Sequence, residues 1–228
     1  MENLDNVIIN SEDKNLKDKE KIILYTEEKE PIGIISKGLY GRINTLSYNG
    51  RKVHPWIECV TCFIVDPSDG KIAVELRGKD EIDAGMLDTV SGHVRYGEIS
   101  KTTMAREMHE EVGMFGYTNS EIVDKLNFLG RVKVDFSKKH EKMNLRCFAT
   151  VYAFLVDSKE SIMANESAVA NLAWVDKEDV KNAIRASMFR FPYTEENKDI
   201  YERIFENLDK AIIGEHAISV EEYLRDWK

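Results

Sequence analysis

Cysteine, long apolar runs and repeats are scarce or missing in this 228-residue sequence. Three cysteines are too few for a disulfide framework and suit a reducing compartment, so we expect a cytoplasmic protein. The first thirty residues contain no long apolar run. We therefore expect neither a signal peptide nor a membrane span. No internal repeat or low-complexity linker divides the chain, which favours a single domain.

A surplus of basic charge is also missing. The chain has 32 Lys and Arg against 41 Asp and Glu, which gives a net charge of −9. Stable binding to nucleic acid requires a basic face, so we do not expect it here. A small anionic substrate stays compatible, because a bound cation can reverse the local sign of charge. The expected partner is a small molecule, and a homodimer is an open alternative for the assembly.

The amino-acid composition is that of an ordinary globular protein, with 43% hydrophobic and 32% charged residues. We predict a loose polar tail over residues 1–20 and one mixed α/β domain over 21–228, with C-terminal helices within 194–227. Its predicted strands are KIILY and PIGII around a charged turn, WIECVTCFIV and KIAVELR around PSDG, MLDTVSGHV, LNFLGRVKVDF, LRCFATVYAFLV and ANLAWV. Its predicted helices are KEDVKNAIRAS, TEENKDIYERIFENLDKAI and SVEEYLRDW, besides the one discussed next.

Cys59 and Cys62 have the spacing of a metal knuckle, but they lie in a run of strand-forming residues. Side chains of opposite parity point to opposite faces of a strand, and no second pair completes a set of four ligands. We therefore interpret both as small buried thiols and expect no structural zinc.

The stretch GHVRYGEISKTTMAREMHEEVGM predicts a helix with an unusual acidic face. Ser100 is the expected N-cap and Gly113 the expected stop, which places the helix at about residues 101–112. One arc of this helix is apolar and predicted to pack, comprising Met104, Ala105, Met108 and Val112.

Three carboxylates, those of Glu107, Glu110 and Glu111, fall on the adjacent arc. Like charges at this spacing repel one another, but together they offer an oxygen-only surface suited to Mg²⁺ or Mn²⁺. The alternative is a solvated face held by local pairs such as Arg106 with Glu110.

The wider spacing resembles the Nudix box. Gly92 is followed by five residues, Glu98, seven residues, and then Arg106 and the EMHEEVGM run. Every position that the box specifies matches over 23 residues. The order of strand, Gly-rich loop, glutamate helix, two strands and helix is also similar to the Nudix fold. The resemblance implies an α/β (α+β) protein, a Nudix-type α/β/α sandwich with a mixed β-sheet.

The resemblance also implies an activity and roles for residues. Family members hydrolyse a nucleoside diphosphate linked to another moiety, by attack of water on phosphorus. Glu107, Glu110, Glu111 and the carbonyl of Gly92 would bind Mg²⁺ or Mn²⁺. Arg106 and Glu98 would pair to hold the loop against the helix. Glu110 or Glu111 would remove the proton from water, and Glu166 in a later loop is a further candidate for this step.

The rest of the substrate site is weakly encoded. We predict that Arg77 contacts phosphate, because it ends a strand near the box. Tyr96 is a candidate for stacking on a base. Lys139, in the polar loop SKKHEKMN, is a candidate for phosphate or sugar contact.

Two other functions stay open. The segments KEPIGIISKG and LDTVSGHVRYGE look like the isopentenyl-diphosphate-isomerase-like branch of the family. True isomerases carry a catalytic cysteine on the strand leading into the box, where this chain has none, so hydrolysis is favoured. A non-catalytic ligand sensor or interaction module is the other alternative, and the complete set of glutamates argues against it.

Overall fold

The structure, a computed structural model, describes residues 20–81, 83–136, 146–165 and 169–215. Its strands are β1 (Lys21–Tyr25), β2 (Pro31–Ser36), β3 (Leu46–Tyr48), β4 (Arg51–Val53), β5 (Ile57–Asp66), β6 (Lys71–Arg77), β7 (Leu87–Asp88), β8 (Val90–His93), β9 (Asn127–Asp135), β10 (Arg146–Leu155) and β11 (Val169–Val175). Its α-helices are α1 (Lys37–Tyr40), α2 (Ser100–Val112), α3 (Asn119–Lys125), α4 (Lys177–Arg185) and α5 (Lys198–Ile212). Among these residues, no helix is both long enough and apolar enough to cross a bilayer.

A mixed sheet of seven strands organises the fold, with its main path in the order β11-β6-β5-β10-β9. Strand β5 is central, since it pairs in parallel with β10 and antiparallel with both β6 and β8. The short strand β7 pairs with β6 beside β8. This arrangement brings the end of β6, strand β7 and strand β8 together on one side of β5.

Each face of the sheet carries its own apolar core. Helices α2 and α3 cover one face, where Val60, Cys62 and Ile64 of β5 are buried. Helices α4 and α5 and the β1–β2 hairpin cover the other face, which buries Phe63 and Val65 of the same strand. The alternation along β5 therefore divides its side chains between two cores. Helices on both faces of a mixed sheet confirm the predicted α/β/α sandwich.

The two neighbouring cysteines follow the same alternation. Cys62 is buried in the core under α2, and Cys59 packs against the core on the opposite face. Cys59, Cys62 and Cys147 are all free thiols. The zinc-knuckle arrangement therefore does not form on β5.

Each predicted strand and helix within the described residues is present, although MLDTVSGHV is divided into β7 and β8. Four elements were not predicted, namely β3, β4, the short helix α1 and α3. The β3–β4 hairpin turns at Asn49 and Gly50, both with positive φ, which is the Asn-Gly signal of a tight hairpin. Helix α3 begins at a capping box formed by Thr118 and Glu121. Both signals are visible in the sequence. The predicted loop SKKHEKMN and the predicted helix SVEEYLRDW lie outside the described residues.

Candidate functional site

Helix α2 is anchored along its apolar arc. Met104, Ala105, Met108 and Val112 are fully buried, as the pattern predicts. The N-cap prediction was wrong by one residue, because Ile99 caps the helix and Ser100 is helical. The Ser100 hydroxyl instead bonds to the Tyr152 hydroxyl at 2.7 Å, which ties the helix start to β10.

The far end of α2 is closed by Gly113 and by a segment from beyond β10. Gly113 adopts φ 71°, the left-handed conformation that ends helices, as predicted. The Asn165 N–H donates to the Glu111 carbonyl at 2.8 Å, and its side-chain amide donates to the Glu110 carbonyl at 3.3 Å. Asn165 thus satisfies carbonyls that a helix end leaves without partners. The proposed base Glu166 follows it in sequence but lies outside the described residues.

Arg106 holds the acidic face of α2 together. Its Nε and Nη2 donate to the two oxygens of Glu98 at 3.0 and 3.1 Å, which is a bidentate pair across the loop before the helix. Its Nη1 donates to Glu107 Oε1 at 2.7 Å and to Glu110 Oε2 at 2.9 Å. Two of the three glutamates therefore meet at one nitrogen atom. This compensation explains how the helix tolerates its crowded negative charge.

Gly92 is the point of closest approach between β8 and α2. A Cβ atom at this position would lie 2.1 Å from both Cδ and Oε1 of Glu107. Any side chain at this position would therefore displace the Glu107 side chain. The carboxylate of Glu107 is consequently placed directly against the Gly92 backbone, whose carbonyl is the other expected metal ligand.

Glu111 reaches into the sheet rather than toward solvent. The Ser91 N–H donates to its Oε2 at 3.0 Å. Burial raises the pKa of the Glu111 carboxyl well above its usual range, and the charges of Glu75 and Asp88 raise it further. Burial likewise raises the pKa of Glu107, although Arg106 opposes that rise. Both carboxyls therefore bind protons more tightly in the folded protein than in the unfolded chain.

Glu75 and Asp88 are acidic neighbours that sequence reasoning did not identify. They are cross-strand partners on β6 and β7, and both are buried. Alternation places Glu75 on the α2 side of β6, but no local pattern reveals which glutamate lies opposite it. Because that contact depends on sheet order, the sequence alone could not supply it.

The donor set fits a hard divalent cation in its chemistry. The candidate ligands are carboxylate oxygens and a backbone carbonyl, which Mg²⁺ and Mn²⁺ prefer. Across the described ranges, however, no group of three or more His, Cys, Asp or Glu side chains is already arranged to hold a metal ion. The contacts of Arg106 give the reason, since Glu107 and Glu110 both turn toward its guanidinium. A bound cation would have to draw at least one of these carboxylates away from Arg106.

Changing Arg106 to lysine is expected to loosen this cluster. Lysine keeps the charge but cannot donate to both Glu98 oxygens and to Glu107 and Glu110 at once. We expect the free energy of unfolding to fall by about 2 kcal/mol and turnover to fall at least about tenfold. Urea unfolding and activity assays measure the two effects. Arg185→Lys, in an exposed pair with Glu202, is the control. Equal effects of the two changes would contradict a positioning role for Arg106.

The raised pKa values predict a pH dependence of stability in EDTA. A carboxyl whose pKa is raised by folding stabilises the protein below the unfolded pKa, about 4.3, and loses that contribution as pH rises through the folded value. The free energy of unfolding of wild type, relative to Glu111→Gln, should therefore fall as the pH rises above about 4.3 and through the raised pKa of Glu111. Urea unfolding at each pH measures it. A difference that does not change with pH would rule out the raised pKa of Glu111.

The other predicted substrate residues have distinct positions. The Arg77 guanidinium contacts Asp88 at 3.2 Å and Glu81 at 3.1 Å, so it is engaged within the protein. Tyr96 is 53% exposed on the loop that leads into α2, where a ligand can reach it. Lys139 lies outside the described residues. Phosphate contact by Arg77 and stacking by Tyr96 stay predictions.

Comparisons with known proteins show which domain this chain resembles. A family model described as NUDIX domain matches residues 57–196. The solved structure of DR0079 from Deinococcus radiodurans aligns with a TM-score of 0.53 and 19% identity, over 82% of this chain and 99% of that one. The MutT protein from Methanosarcina mazei Go1 aligns with a TM-score of 0.47 and 19% identity, over 68% of this chain and 94% of its own. The comparison with curated proteins gave no match.

Proposed function

The chain belongs to the Nudix hydrolase family, and from that premise we propose that it hydrolyses a diphosphate bond in a nucleoside diphosphate linked to another moiety, or in a similar organic diphosphate. The reaction is attack of water on phosphorus with Mg²⁺ or Mn²⁺ as cofactor. The observation that carries the proposal is the packing of Glu107 against Gly92, with Glu110 at the same Arg106 nitrogen. A solvated helix face has no need for such a fixed arrangement.

The divalent ions, when bound, would lower the pKa of the attacking water and neutralise charge on the diphosphate. Glu107, Glu110, Glu111 and the Gly92 carbonyl would hold them. Arg106 would keep the carboxylates oriented, through its bidentate contact with Glu98. The Ser91 N–H holds one oxygen of Glu111. The other oxygen would bind the metal ion or accept the proton from water.

Removal of the proton from water is assigned to Glu110 or Glu111, with Glu166 as the further candidate. The connection of Asn165 to the Glu111 and Glu110 carbonyls supports keeping Glu166, which is the next residue in sequence. Single changes of each glutamate to glutamine separate the candidates. A general base acts in its deprotonated form, so replacing it should remove the rise of kcat with pH on the acidic limb of the profile.

The proposed compartment is the cytoplasm, supported by the three free thiols. Isomerase activity finds no support at β8, which reads Val90, Ser91, Gly92 and His93 without a thiol. A substrate with a base is consistent with the exposed ring of Tyr96 beside α2.

A panel of diphosphate compounds, incubated with Mg²⁺ or Mn²⁺, tests the proposal. Products separated by chromatography identify the bond that breaks and the substrate class. Repeating the reaction in ¹⁸O water should place the label in a phosphate product, because water attacks phosphorus. Label confined to a non-phosphate fragment would show cleavage elsewhere. Failure of every diphosphate to react would overturn the proposed function.

A further inference from the structure

The carboxylate of Glu20 joins two cations beside the glutamate helix. Lys37 Nζ lies 2.9 Å from Glu20 Oε2, and the Arg95 guanidinium donates to Glu20 Oε1. The backbone fixes all three residues, because the Lys37 N–H donates to the Glu20 carbonyl at 3.0 Å and Arg95 forms a β-bridge with Ile22. One anionic group is thereby held between two cations that come from separate parts of the chain.

One of the two cations reaches a proposed catalytic glutamate. Arg95 Nη2 lies 3.8 Å from Glu110 Oε1, so its guanidinium stands between Glu20 and Glu110. Because the Glu20 carboxylate also contacts Lys37, an anion that replaced it between Lys37 and Arg95 would lie close to Glu110.

Three other cations near this site, Arg106, Arg77 and Arg190, are less exposed to solvent than Lys37 and Arg95. Arg106 is divided among Glu98, Glu107 and Glu110. Arg77 and Arg190 both pair with Asp88, which is completely buried. In contrast, the side chains of Lys37 and Arg95 are 40% and 29% exposed. A dissolved ligand can reach these two cations, and it would compete with a carboxylate that is itself partly exposed.

We propose that Lys37 and Arg95 form an anion subsite for a phosphate group of the substrate, and that the Glu20 carboxylate occupies this subsite in the free protein. The inference rests on the proposed diphosphate hydrolysis. Partly exposed ion pairs contribute little to stability, so displacing Glu20 costs little. A phosphate group carries more charge than a carboxylate, and it can accept two hydrogen bonds from the planar guanidinium as a carboxylate does. The substrate therefore replaces Glu20 on both cations.

The subsite is expected to act on binding more than on the chemical step. A phosphate held there contributes equally to the bound substrate and to the transition state, which changes KM and leaves kcat nearly unchanged. Glu20→Gln removes the competing charge and should lower KM. Arg95→Gln and Lys37→Gln remove a phosphate contact and should raise KM. A merely structural role for the Glu20 pairs predicts that all three changes reduce stability and that none lowers KM.

Binding of inorganic pyrophosphate in EDTA tests the subsite without metal and without turnover. Isothermal calorimetry should show about threefold tighter binding for Glu20→Gln, because one negative charge close to the ligand is gone. Arg95→Gln should bind about tenfold more weakly, from the loss of a charge-assisted hydrogen bond. Glu202, on α5, is a matched control, since it also joins two cations, Lys181 and Arg185 of α4.

Glu202→Gln changes the net charge as Glu20→Gln does, and Arg185→Gln changes it as Arg95→Gln does. Both control variants should alter pyrophosphate affinity by less than about twofold. Equal effects of Glu20→Gln and Glu202→Gln would overturn the subsite, as would wild-type affinity no higher than that of Arg95→Gln. Melting temperatures confirm that each variant is folded. The pyrophosphate affinities are measured without turnover, so they do not depend on the result of the hydrolysis assays. Absence of hydrolysis would overturn the proposed function, whereas the pyrophosphate affinities alone decide the subsite.

Discussion

Gly92→Ala is expected to lower turnover by at least about a hundredfold while leaving most of the protein folded. The added Cβ would lie 2.1 Å from Cδ and Oε1 of Glu107, so the carboxylate must move away from residue 92. A displacement of about 1 Å at a reacting centre is enough for a loss of this size. Overpacking of this kind costs about 1–3 kcal/mol of stability. Activity assays and urea unfolding on the same sample measure both effects.

Gly70→Ala is the matched control for this change. Gly70 lies in the β5–β6 turn with φ +71°, and its surroundings are open, with no atom within 4 Å of an added Cβ. Alanine there is strained by about 1–2 kcal/mol but touches nothing near α2. The two variants should therefore lose similar stability and differ widely in turnover. Similar turnover in both would show that the Gly92 contact does not position Glu107 for catalysis.

The helix and its acidic face could be predicted because they depend on local geometry. The spacing of Met104, Met108 and Val112 fixes the buried arc, and the glutamates then fall beside it. The alternation in β5 likewise predicted that Cys59 and Cys62 would separate. These inferences need a helical or strand period and nothing from distant parts of the chain.

Contacts between distant segments were beyond the same reasoning. We predicted a polar tail over residues 1–20, and Glu20, the last residue of that range, contacts Lys37 and Arg95. We predicted that Arg77 contacts phosphate, and its contact with Asp88 could not be seen without the pairing of β6 with β7. In both cases a charged residue contacts a partner on a different element, and the sequence does not show which elements are neighbours.

Buried acidic neighbours make Glu111 the most informative single residue of the site. Glu111→Gln removes one charge from a cluster that includes Glu75, Asp88 and Glu107. Glutamine keeps the size and helix propensity of glutamate, and its amide oxygen can still accept from the Ser91 N–H. In EDTA, the variant should be more stable by about 1 kcal/mol at pH 8, which raises Tm by about 2–4 °C.

The same change should reduce turnover with Mg²⁺ or Mn²⁺ by at least about a hundredfold, equivalent to about 2.7 kcal/mol of transition-state stabilisation. An ordinary surface charge would behave differently, because its removal alters stability by a few tenths of a kcal/mol and leaves activity near that of wild type. Differential scanning calorimetry in EDTA and turnover with metal, measured on one preparation, distinguish the two cases. A gain in metal-free stability together with lost turnover would show that α2 tolerates repulsion because the carboxylates serve the reaction. A fully active Glu111→Gln protein would instead mean that Glu111 is neither a metal ligand nor the base, and that its burial beside β8 is structural.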